Sequence, residues 1–563
     1  MNKIVKIFSV ALVGVALATG CIKEIDPQTS SVTVEQAGNA SGSYDNFVTA
    51  ITNSLCGSFT YGGSSNYPWD YGYPSFYLAR DVMGNDIALS NSGCWYNTWY
   101  TCGTGLGPQY AVCQLPWTYY YKWINNCNTV LKMAGDEPDE DKMAGAGIAY
   151  AMRAMFYMDM ARMFAQETYG INDQAITVPL ITHETSIDEM LNNPRATNAV
   201  MWGQIIEDLD KAETYLANYK RESILTPDLS VVYGLKARAY LTMEDWPNAQ
   251  KYAKLAQSGY TITSEADYLS RTNGFNTPTS AWMFGMTFKD TDANILNNDG
   301  DSSWGSHMII EVVASGCGYA SNYGYPMYID YHLYQTIPST DFRKKNFVDF
   351  EIDNMSKTDA IAALAAYSDV PDGVYTTGKS NSKSKKIGGL EVKFRPKDGN
   401  HSDQYKAFTV YVPMMRVEEM YLIEAEAAGM QNEANGIQLL TSFAQTRDPN
   451  FVYGEHANET YGSTYATGFQ NEVWWQRRVE LWGEGFAMFD IKRLNKGVIR
   501  SYPNSNHVDN YKWNYGTYGV NKGIYPNWMD WCIVQTESNY NTAIENNPTP
   551  LMPTGGDSAE YAW

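Results

Sequence analysis

Residues 469–497 of the chain read FQNEVWWQRRVELWGEGFAMFDIKRLNKG. Apolar residues recur at helical spacing on both sides of Gly483 and Gly485, first from Val473 and then from Phe486. The pattern predicts a helical hairpin. Charged residues of both signs stand between its apolar positions: Arg477, Arg478, Glu480, Glu484, Asp490 and Arg493. One interpretation is an acid/base site. We favour ion pairs that fix one docking geometry, because charged residues in packed helices usually persist by pairing.

The segment from Gln476 to Leu494 resembles a family signature, Glu-Arg-Arg-x-Glu-Leu-x-x-Glu-Gly-x-Arg-x-x-Asp-Leu-x-Arg. That signature belongs to the SusD/RagB family of outer-membrane nutrient-binding lipoproteins. Gln476 stands where the family usually has Glu, and Ala487 stands near its usual Arg. Further segments similar to the family span most of the chain: Arg195–Ala212, Leu235–Leu241, Met415–Ala427 and Val534–Pro548.

Helical periodicity also recurs in pairs upstream of the hairpin. The predicted helices cover residues 117–133 and 142–164, 197–219, 228–242 and 249–258, and 414–429 and 433–446. Small residues at their crossings, such as Ala237 and Ala249, are typical of tetratricopeptide-like repeats. We therefore predict a mainly α fold, the SusD-like α-helical fold that the resemblance implies, with a loop-rich mixed insertion subdomain.

These patterns divide the mature chain into three parts. Residues 43–259 form N-terminal helical repeats with aromatic ligand loops, and residues 413–563 form C-terminal repeats with the family's C-terminal tail. The insertion spans residues 260–412, with strand-like patches at 308–313 and 391–395.

The N-terminus has the pattern of a lipoprotein signal peptide, residues 1–20. Lys3 and Lys6 precede an apolar run that ends at Leu17 and is too short to cross a bilayer. Small residues stand directly before Cys21, as in a bacterial lipobox, so we predict lipidation of Cys21 and a tether over residues 21–42. The acidic residues that follow resemble the tag that sends this family's lipoproteins to the exterior face of the outer membrane.

The chain is acidic, with a net charge of −21, or −23 once residues 1–20 and their two lysines are removed. Such a surface repels nucleic acid and anionic lipid. It also argues against acidic polysaccharides as ligands, unless a local basic pocket overrules it.

Cysteine and histidine spacing gives no metal or cofactor motif. The sequence contains no CxxC pair, and its six histidines are dispersed, so we predict no metal site and no cofactor. Seven cysteines follow Cys21. Cys94 and Cys102 could pair across a loop, but burial as small hydrophobic residues is the default.

The sequence also lacks GxSxG and HExxH motifs. Residues 373–380, GVYTTGKS, match the phosphate-loop pattern, but neither a predicted strand precedes them nor a predicted helix follows. We interpret them as a flexible basic loop. A glycosidase carboxylate pair stays open from sequence, yet our prediction is a protein that is not an enzyme.

The positive signal is aromatic, with 43 Tyr and 16 Trp residues. Sugar rings pack apolar C–H faces on flat aromatic rings, while their hydroxyl groups need polar partners at the rim. The predicted ligand-binding residues lie in two loops, with three charged partners: Trp95, Tyr96, Asn97, Trp99 and Tyr100; Cys317, Tyr319 and Tyr323; Asp81, Asp86 and Arg395. These loops could equally be packing devices.

The resemblance implies a function. It predicts a cell-surface lipoprotein that captures oligosaccharides and delivers them, as a hinged lid, to a partner SusC-like TonB-dependent transporter. Two alternatives remain: a peptide-binding lid of the RagB type and a non-catalytic surface adhesin.

Overall fold

The computed structural model describes residues 42–58, 67–89, 93–314, 316–381, 385–553 and 559–563. The predicted signal peptide, Cys21 and the tether up to residue 41 lie outside these residues. None of the described helices combines the length and the apolarity that crossing a bilayer requires.

Helices dominate the described residues, and strands are few and short. The helices are α1 (Ser43–Asn53), α2 (Tyr73–Asp81), α3 (Asn97–Thr101), α4 (Ala111–Ala134), α5 (Glu140–Phe164), α6 (Ile187–Met190), α7 (Asn198–Tyr215), α8 (Leu229–Met243), α9 (Trp246–Ala256), α10 (Glu265–Tyr268), α11 (Ala293–Leu296), α12 (Trp304–Met308), α13 (Tyr331–Thr336), α14 (Lys357–Leu364), α15 (Pro371–Thr376), α16 (Gln404–Ala407), α17 (Val417–Gln431), α18 (Glu433–Ala444), α19 (Gly468–Glu480), α20 (Ala487–Arg493) and α21 (Gln535–Tyr540). The strands are β1 (Ile87–Leu89), β2 (Ile176–Pro179), β3 (Arg195–Thr197), β4 (Trp282–Thr287), β5 (Met327–Ile329), β6 (Tyr411–Arg416), β7 (Val498–Ile499) and β8 (Asn514–Tyr515).

The long helices stack in sequence as antiparallel neighbours. Helix α4 packs on α5, α5 on α7, α7 on α8 and α8 on α9. Helix α9 then packs on α17 across the whole insertion, and α17 packs on both α18 and α19. The predicted mainly α, tetratricopeptide-like fold is therefore confirmed.

The insertion is joined to this stack by an antiparallel strand pair. Strand β4 pairs with β6, with Trp282 opposite Arg416 and Thr287 opposite Tyr411. Strand β1 pairs with β5, which ties the insertion to the segment after α2. A separate apolar cluster that includes Ile310, Val348 and Leu390 fills the insertion's interior.

Two strand-like patches of the insertion were predicted wrongly. Met308 is the last residue of α12, residues 309–313 have no strand partner, and Glu391 makes only an isolated bridge with Phe347. Residues 309–312 are buried in irregular structure after α12. A short, mostly apolar run does not distinguish buried irregular structure from a strand. Likewise, the helix expected from Met414 begins at Val417, because residues 411–416 pair with β4.

The hairpin at 469–497 forms as α19 and α20, and its charges are ion-paired. Across the hairpin, Arg477 Nε lies 2.7 Å from Asp490 Oδ2. Most partners, however, lie outside the hairpin: Arg493 contacts Glu426 of α17 at 2.6 Å, and Glu480 is surrounded by three arginines of other segments. The ion-pair interpretation is confirmed, and the network docks the hairpin onto the repeats and the insertion together.

Glycines permit the closest helix crossing among α17, α18 and α19. A Cβ atom on Gly436 would lie 2.3 Å from Gly429 Cα, and one on Gly429 would lie 2.0 Å from a ring carbon of Phe469. The backbones of α17 and α18 therefore touch directly.

Replacing Gly436 by alanine is expected to lower the free energy of unfolding by about 1–3 kcal/mol, because a side chain must force packed backbones apart. Gly203→Ala is the matched control, since nothing lies within 4 Å of a Cβ added in the exposed face of α7. There the better helix propensity of alanine should leave stability equal or raise it by up to about 1 kcal/mol. Urea unfolding measures both, and equal values for the two variants would contradict the close crossing.

Candidate functional site

Three aromatic side chains from two distant segments meet at the surface. Trp95 is 42% exposed, Tyr323 is 40% exposed, and Tyr319 lies partly exposed between them. The ring centroids of Trp95 and Tyr319 are 6.0 Å apart at 72°, and those of Tyr319 and Tyr323 are 5.1 Å apart at 37°. We call these three residues the aromatic surface. Its rings stand at an angle to one another and form a corner.

Buried rings hold the aromatic surface from behind. Tyr319 stacks on His307 with centroids 4.9 Å apart, and His307 stacks on Tyr71 at 5.5 Å. The His307 Nε2–H group donates to the Pro68 carbonyl at 2.9 Å, and burial lowers the pKa of His307 to about 4. The imidazole is therefore neutral at neutral pH. This column gives Tyr319 a rigid backing.

Two side chains fix the backbone that carries Tyr319 and Tyr323. Asp301 Oδ1 accepts from the Gly318 N–H at 2.6 Å and from the Ser306 hydroxyl at 3.3 Å. Ser306 Oγ in turn accepts from the Tyr319 N–H at 3.0 Å. Gly318 has φ of +84°, a left-handed conformation that favours glycine. Two consecutive backbone N–H groups are thus held by an adjacent Asp/Ser pair.

A second carboxylate stands at the surface beside this segment. The Tyr405 hydroxyl donates to Asp299 Oδ1 at 2.8 Å, and both residues are exposed. Burial raises the pKa of the Cys317 thiol to about 12, and the neighbouring Asp301 and Asp299 add to that rise. The edge of the aromatic surface is therefore polar and acidic.

The other aromatic residues predicted to bind ligand lie in the core. Tyr96 and Tyr100 are fully buried, and Trp99 is 1% exposed. The Tyr96 hydroxyl bonds to the Tyr71 hydroxyl at 2.5 Å, while that of Tyr100 bonds to His507 Nδ1 at 2.7 Å. These rings support the loop from the core rather than face solvent.

Asn97 and Cys317 complete the two predicted loops. Asn97 is partly exposed, and its Oδ1 atom has no hydrogen-bond partner in the part of the chain that the structure describes. Cys317 is buried, with its Sγ 3.4 Å from the Ala314 carbonyl oxygen. All seven described cysteines are free, so Cys94 and Cys102 do not pair.

The three charged residues predicted at the rim lie in the interior instead. Asp81 accepts from two backbone N–H groups of the hairpin at 2.8 and 3.0 Å, and burial raises its pKa to about 7. Asp86 pairs with Arg478 at 2.6 Å, and Arg395 pairs with Glu311 at 2.8 Å. The physical reason is the docking of the hairpin and insertion, whose buried charges require partners of opposite sign. All three residues are buried in the folded protein.

A cleft of about 510 Å³ is lined by Val312, Val313, Ser321 and Asn322 and by part of the phosphate-loop-like motif. Residues 373–376 belong to helix α15, where backbone N–H groups bond to carbonyl oxygens of the same turn. Lys379 is held by Asp353 at 2.8 Å. The prediction of a flexible loop was wrong, since this is a helical turn. Its amides are not arranged to cradle a phosphate.

One group of three possible metal ligands occurs among the described residues: Asp136, His183 and Glu184. Arg153 donates from Nη1 to His183 Nδ1 at 3.2 Å, and burial together with this cation lowers the pKa of His183. Asp136 and Glu184 are exposed. A guanidinium in contact with the imidazole opposes a metal ion at this position.

Sequence reasoning missed the residues that position the aromatic surface. Asp301, Ser306 and His307 lie in a segment without a motif, and only folding brings them under Tyr319. Asp299 and Tyr405 are likewise distant in sequence from Trp95. A high aromatic content was the available signal, and it does not say which rings stay exposed.

Comparisons with known proteins agree with this fold. A family model described as the SusD family matches residues 248–549, and a SusD-like model described as starch-binding, associating with the outer membrane, matches residues 81–241. A SusD-like protein of Formosa agariphila is 21% identical over 418 residues, covering 70% of this chain and 74% of that protein.

Solved structures share the fold at low sequence identity. A SusD-like carbohydrate-binding protein from Bacteroides vulgatus has a TM-score of 0.66 and 22% identity, covering 89% of this chain and 97% of its own. Surface glycan-binding protein A from Bacteroides thetaiotaomicron, solved in complex with laminarihexaose, has a TM-score of 0.63 and 14% identity, covering 90% and 98%. Since the first of the two family models spans more than half of the sequence, the protein belongs to the SusD family.

Proposed function

We propose that this protein captures glycan chains on the aromatic surface without changing them chemically. The observation that carries the proposal is the exposure of Trp95 and Tyr323 around a rigidly backed Tyr319. In a chain with so many buried aromatic rings, these three form a cluster that faces solvent and is built from two segments. The laminarihexaose complex of a structural neighbour supports a sugar ligand, since that protein shares the fold.

The chemistry of the aromatic surface suits sugars. Apolar C–H faces of a pyranose ring pack on aromatic rings, and the corner between Trp95 and Tyr319 offers two such rings to one chain. Hydroxyl groups of the sugar can donate to Asp299 at the edge. Because the His307 column and the Asp301–Ser306 pair hold Tyr319 beforehand, little conformational entropy of this residue is lost on binding.

The same contacts support binding without catalysis. A glycosidase needs two carboxyl groups that flank the scissile bond, one of them free to give and take a proton. Asp301 is buried and already accepts hydrogen bonds from Gly318 and Ser306, so its carboxylate serves the fold of the segment. Asp299 alone does not supply that pair.

The finer part of the proposal concerns delivery. The protein acts as a hinged lid on a SusC-like TonB-dependent transporter, anchored at the outer face of the outer membrane through lipidated Cys21. The family to which the chain belongs and the lipobox-like sequence before Cys21 support this role. In such a lid the glycan is held better in the closed state than in the open state, and the transporter supplies the energy.

Cys21→Ala is expected to release the full-length protein from the membrane fraction, because a lipid chain is lost and no described helix spans a bilayer. Immunoblots of soluble and membrane fractions measure the distribution. Cys127→Ala is the matched control, since this buried thiol is far from the N-terminus and its loss should leave the protein in the membrane. Retention of the Cys21 variant would refute the anchor.

A binding screen of residues 22–563 tests the capture role. Calorimetry against neutral polysaccharides, their oligosaccharides and peptide pools, with product analysis, should give a sugar that binds and is recovered intact. A cleaved product would make the protein an enzyme. Binding of peptides but of no sugar would favour the alternative function, a peptide-binding lid. Binding of neither would favour an adhesin.

A further inference from the structure

Two carboxylates lie at the aromatic surface. Asp301 lies beneath Tyr319 and Tyr323, and Asp299 lies exposed at the edge, where Tyr405 donates to it. Neither acid forms an ion pair with a described lysine, arginine or histidine.

The negative charge of Asp301 is tied to the construction of the segment. Its Oδ1 atom accepts from the Gly318 N–H and the Ser306 hydroxyl, and Ser306 accepts from the next N–H, that of Tyr319. Hydrogen bonds of this kind are strongest when the acceptor is ionised. The segment that presents the rings is thus built around an anion.

The negative charge of Asp301 also affects the pKa values of neighbouring groups. Burial raises the pKa of Tyr323 to about 12, and the charge of Asp301 contributes to the rise. Burial also raises the pKa of Tyr319, again with a contribution from Asp301. The pKa of Asp301 itself is raised to about 6, first by burial, with Asp299 adding to it. At pH 7.5 the Asp301 carboxylate is therefore ionised.

We propose that Asp301 and Asp299 make the aromatic surface select uncharged glycans and reject chains that carry uronate or sulfate groups. The inference rests on the proposed glycan-binding function and names its substrate class. An anionic group packed against these rings would lie close to two carboxylates, neither of which is ion-paired with a described lysine, arginine or histidine. Coulomb repulsion between like charges that lie close together is strong when protein rather than water fills part of the space between them. Salt screens this repulsion.

Matched pairs of polysaccharides test the selection at pH 7.5 and low ionic strength. The pairs share a backbone and differ in charge: laminarin and carboxymethyl-laminarin, dextran and dextran sulfate, and xylan and glucuronoxylan. We expect each neutral member that binds to bind at least tenfold more tightly than its charged partner. Raising sodium chloride to 0.5 M should shrink that ratio, which a purely steric effect of the substituents would not do.

Variants separate the charge from the shape of the surface. Asp299→Asn should reduce the discrimination several-fold, because the charged member binds more tightly once one of the two carboxylates is neutral. Asp136→Asn, an exposed acid in the turn between α4 and α5, is the control and should leave the ratio unchanged. Thermal unfolding of both variants verifies that they fold.

Equal or tighter binding of the charged members would overturn the selection and leave the glycan-binding function standing. If the ratio of the two affinities changed neither with salt nor in Asp299→Asn, the selection would also be overturned, because the discrimination would then be steric. If no polysaccharide of either charge binds, the proposed function fails and the inference fails with it.

Discussion

Replacing Glu480 by glutamine is expected to lower the free energy of unfolding by about 3–5 kcal/mol, the largest stability loss we expect from a single near-isosteric change. Glu480 is fully buried at the end of α19. Its carboxylate lies 3.2 Å from Arg343, 3.1 Å from Arg416 and 3.1 Å from Arg447. Without the charge, three buried guanidinium groups lose a shared counter-ion.

The surrounding network explains the size of the effect. Arg343 also pairs with Asp341, and Arg416 also pairs with Glu484 and Glu418. With Lys393 on Glu484 and Arg447 on Glu418, four cations face four carboxylates. The neutral Gln476, where the family usually has Glu, accepts from Arg343 Nη2 at 2.8 Å without adding a fifth negative charge.

Glu207→Gln supplies the control for Glu480→Gln. Glu207 pairs with Lys211 at 3.0 Å on the exposed face of α7, and such surface pairs contribute at most about 0.5 kcal/mol. Chemical denaturation of the two variants and the parent protein measures the difference. A loss of less than about 1 kcal/mol in Glu480→Gln would show that its charge is dispensable to the hairpin.

The loss of stability at acidic pH gives an independent measure of what the Glu480 carboxylate contributes. The arginines hold the pKa of Glu480 below its ordinary value of 4.5, against the opposing effect of burial. The stability that the ionised group contributes is therefore fully present above about pH 4.5 and is lost as the pH falls below it. In Glu480→Gln this part of the acid dependence should disappear.

Trp95→Ala is expected to lower the affinity for glycan, and Trp99→Ala is expected to lower stability, although the two residues lie only four positions apart. Trp95 is 42% exposed at the corner of the aromatic surface, so its loss should weaken glycan binding by about 1–3 kcal/mol, as for a central anchor. Its loss should change stability by less than about 1 kcal/mol. Trp99 is 1% exposed, and its loss should cost about 3–5 kcal/mol of stability by leaving a cavity.

Calorimetry with the glycan found in the screen and thermal unfolding distinguish the two variants. Tyr323→Ala should behave like Trp95→Ala, because Tyr323 is also exposed beside Tyr319. Unchanged affinity in both Trp95→Ala and Tyr323→Ala would place the binding site elsewhere on the protein. If Trp99→Ala lost affinity at a temperature where this variant is folded, packing in the core beneath the aromatic surface would also determine the arrangement of that surface.

The helices were predictable from sequence because their signal is local. Apolar residues three and four positions apart share a helix face wherever the helix later packs, so α5, α8, α9 and α18 match their predicted ranges to within a few residues. The hairpin's charges were predictable as pairs for a similar reason, since buried charge requires compensation. Their partners in other segments were not predictable, because nothing local links Glu480 to Arg343 or Arg447.

The candidate site was less predictable from sequence than the helices. Both loops of the aromatic surface were predicted from their composition, but the exposure of each ring was not. Trp95 and Trp99 have similar sequence surroundings, yet one faces solvent and the other packs at 5.8 Å from Trp69. Asp86 was predicted at the rim of the site, but in the folded protein it pairs with Arg478 of α19.

Periodicity, composition and the family-like segments thus account for the helical repeats, the paired hairpin and the two aromatic loops. Which rings are exposed, and which acids lie beneath them, follows from contacts between residues more than two hundred positions apart, such as Trp95 and Tyr319. The physical reason is that a helix face is defined by neighbours within one turn. The exposure of a loop residue depends instead on every segment that folds over it.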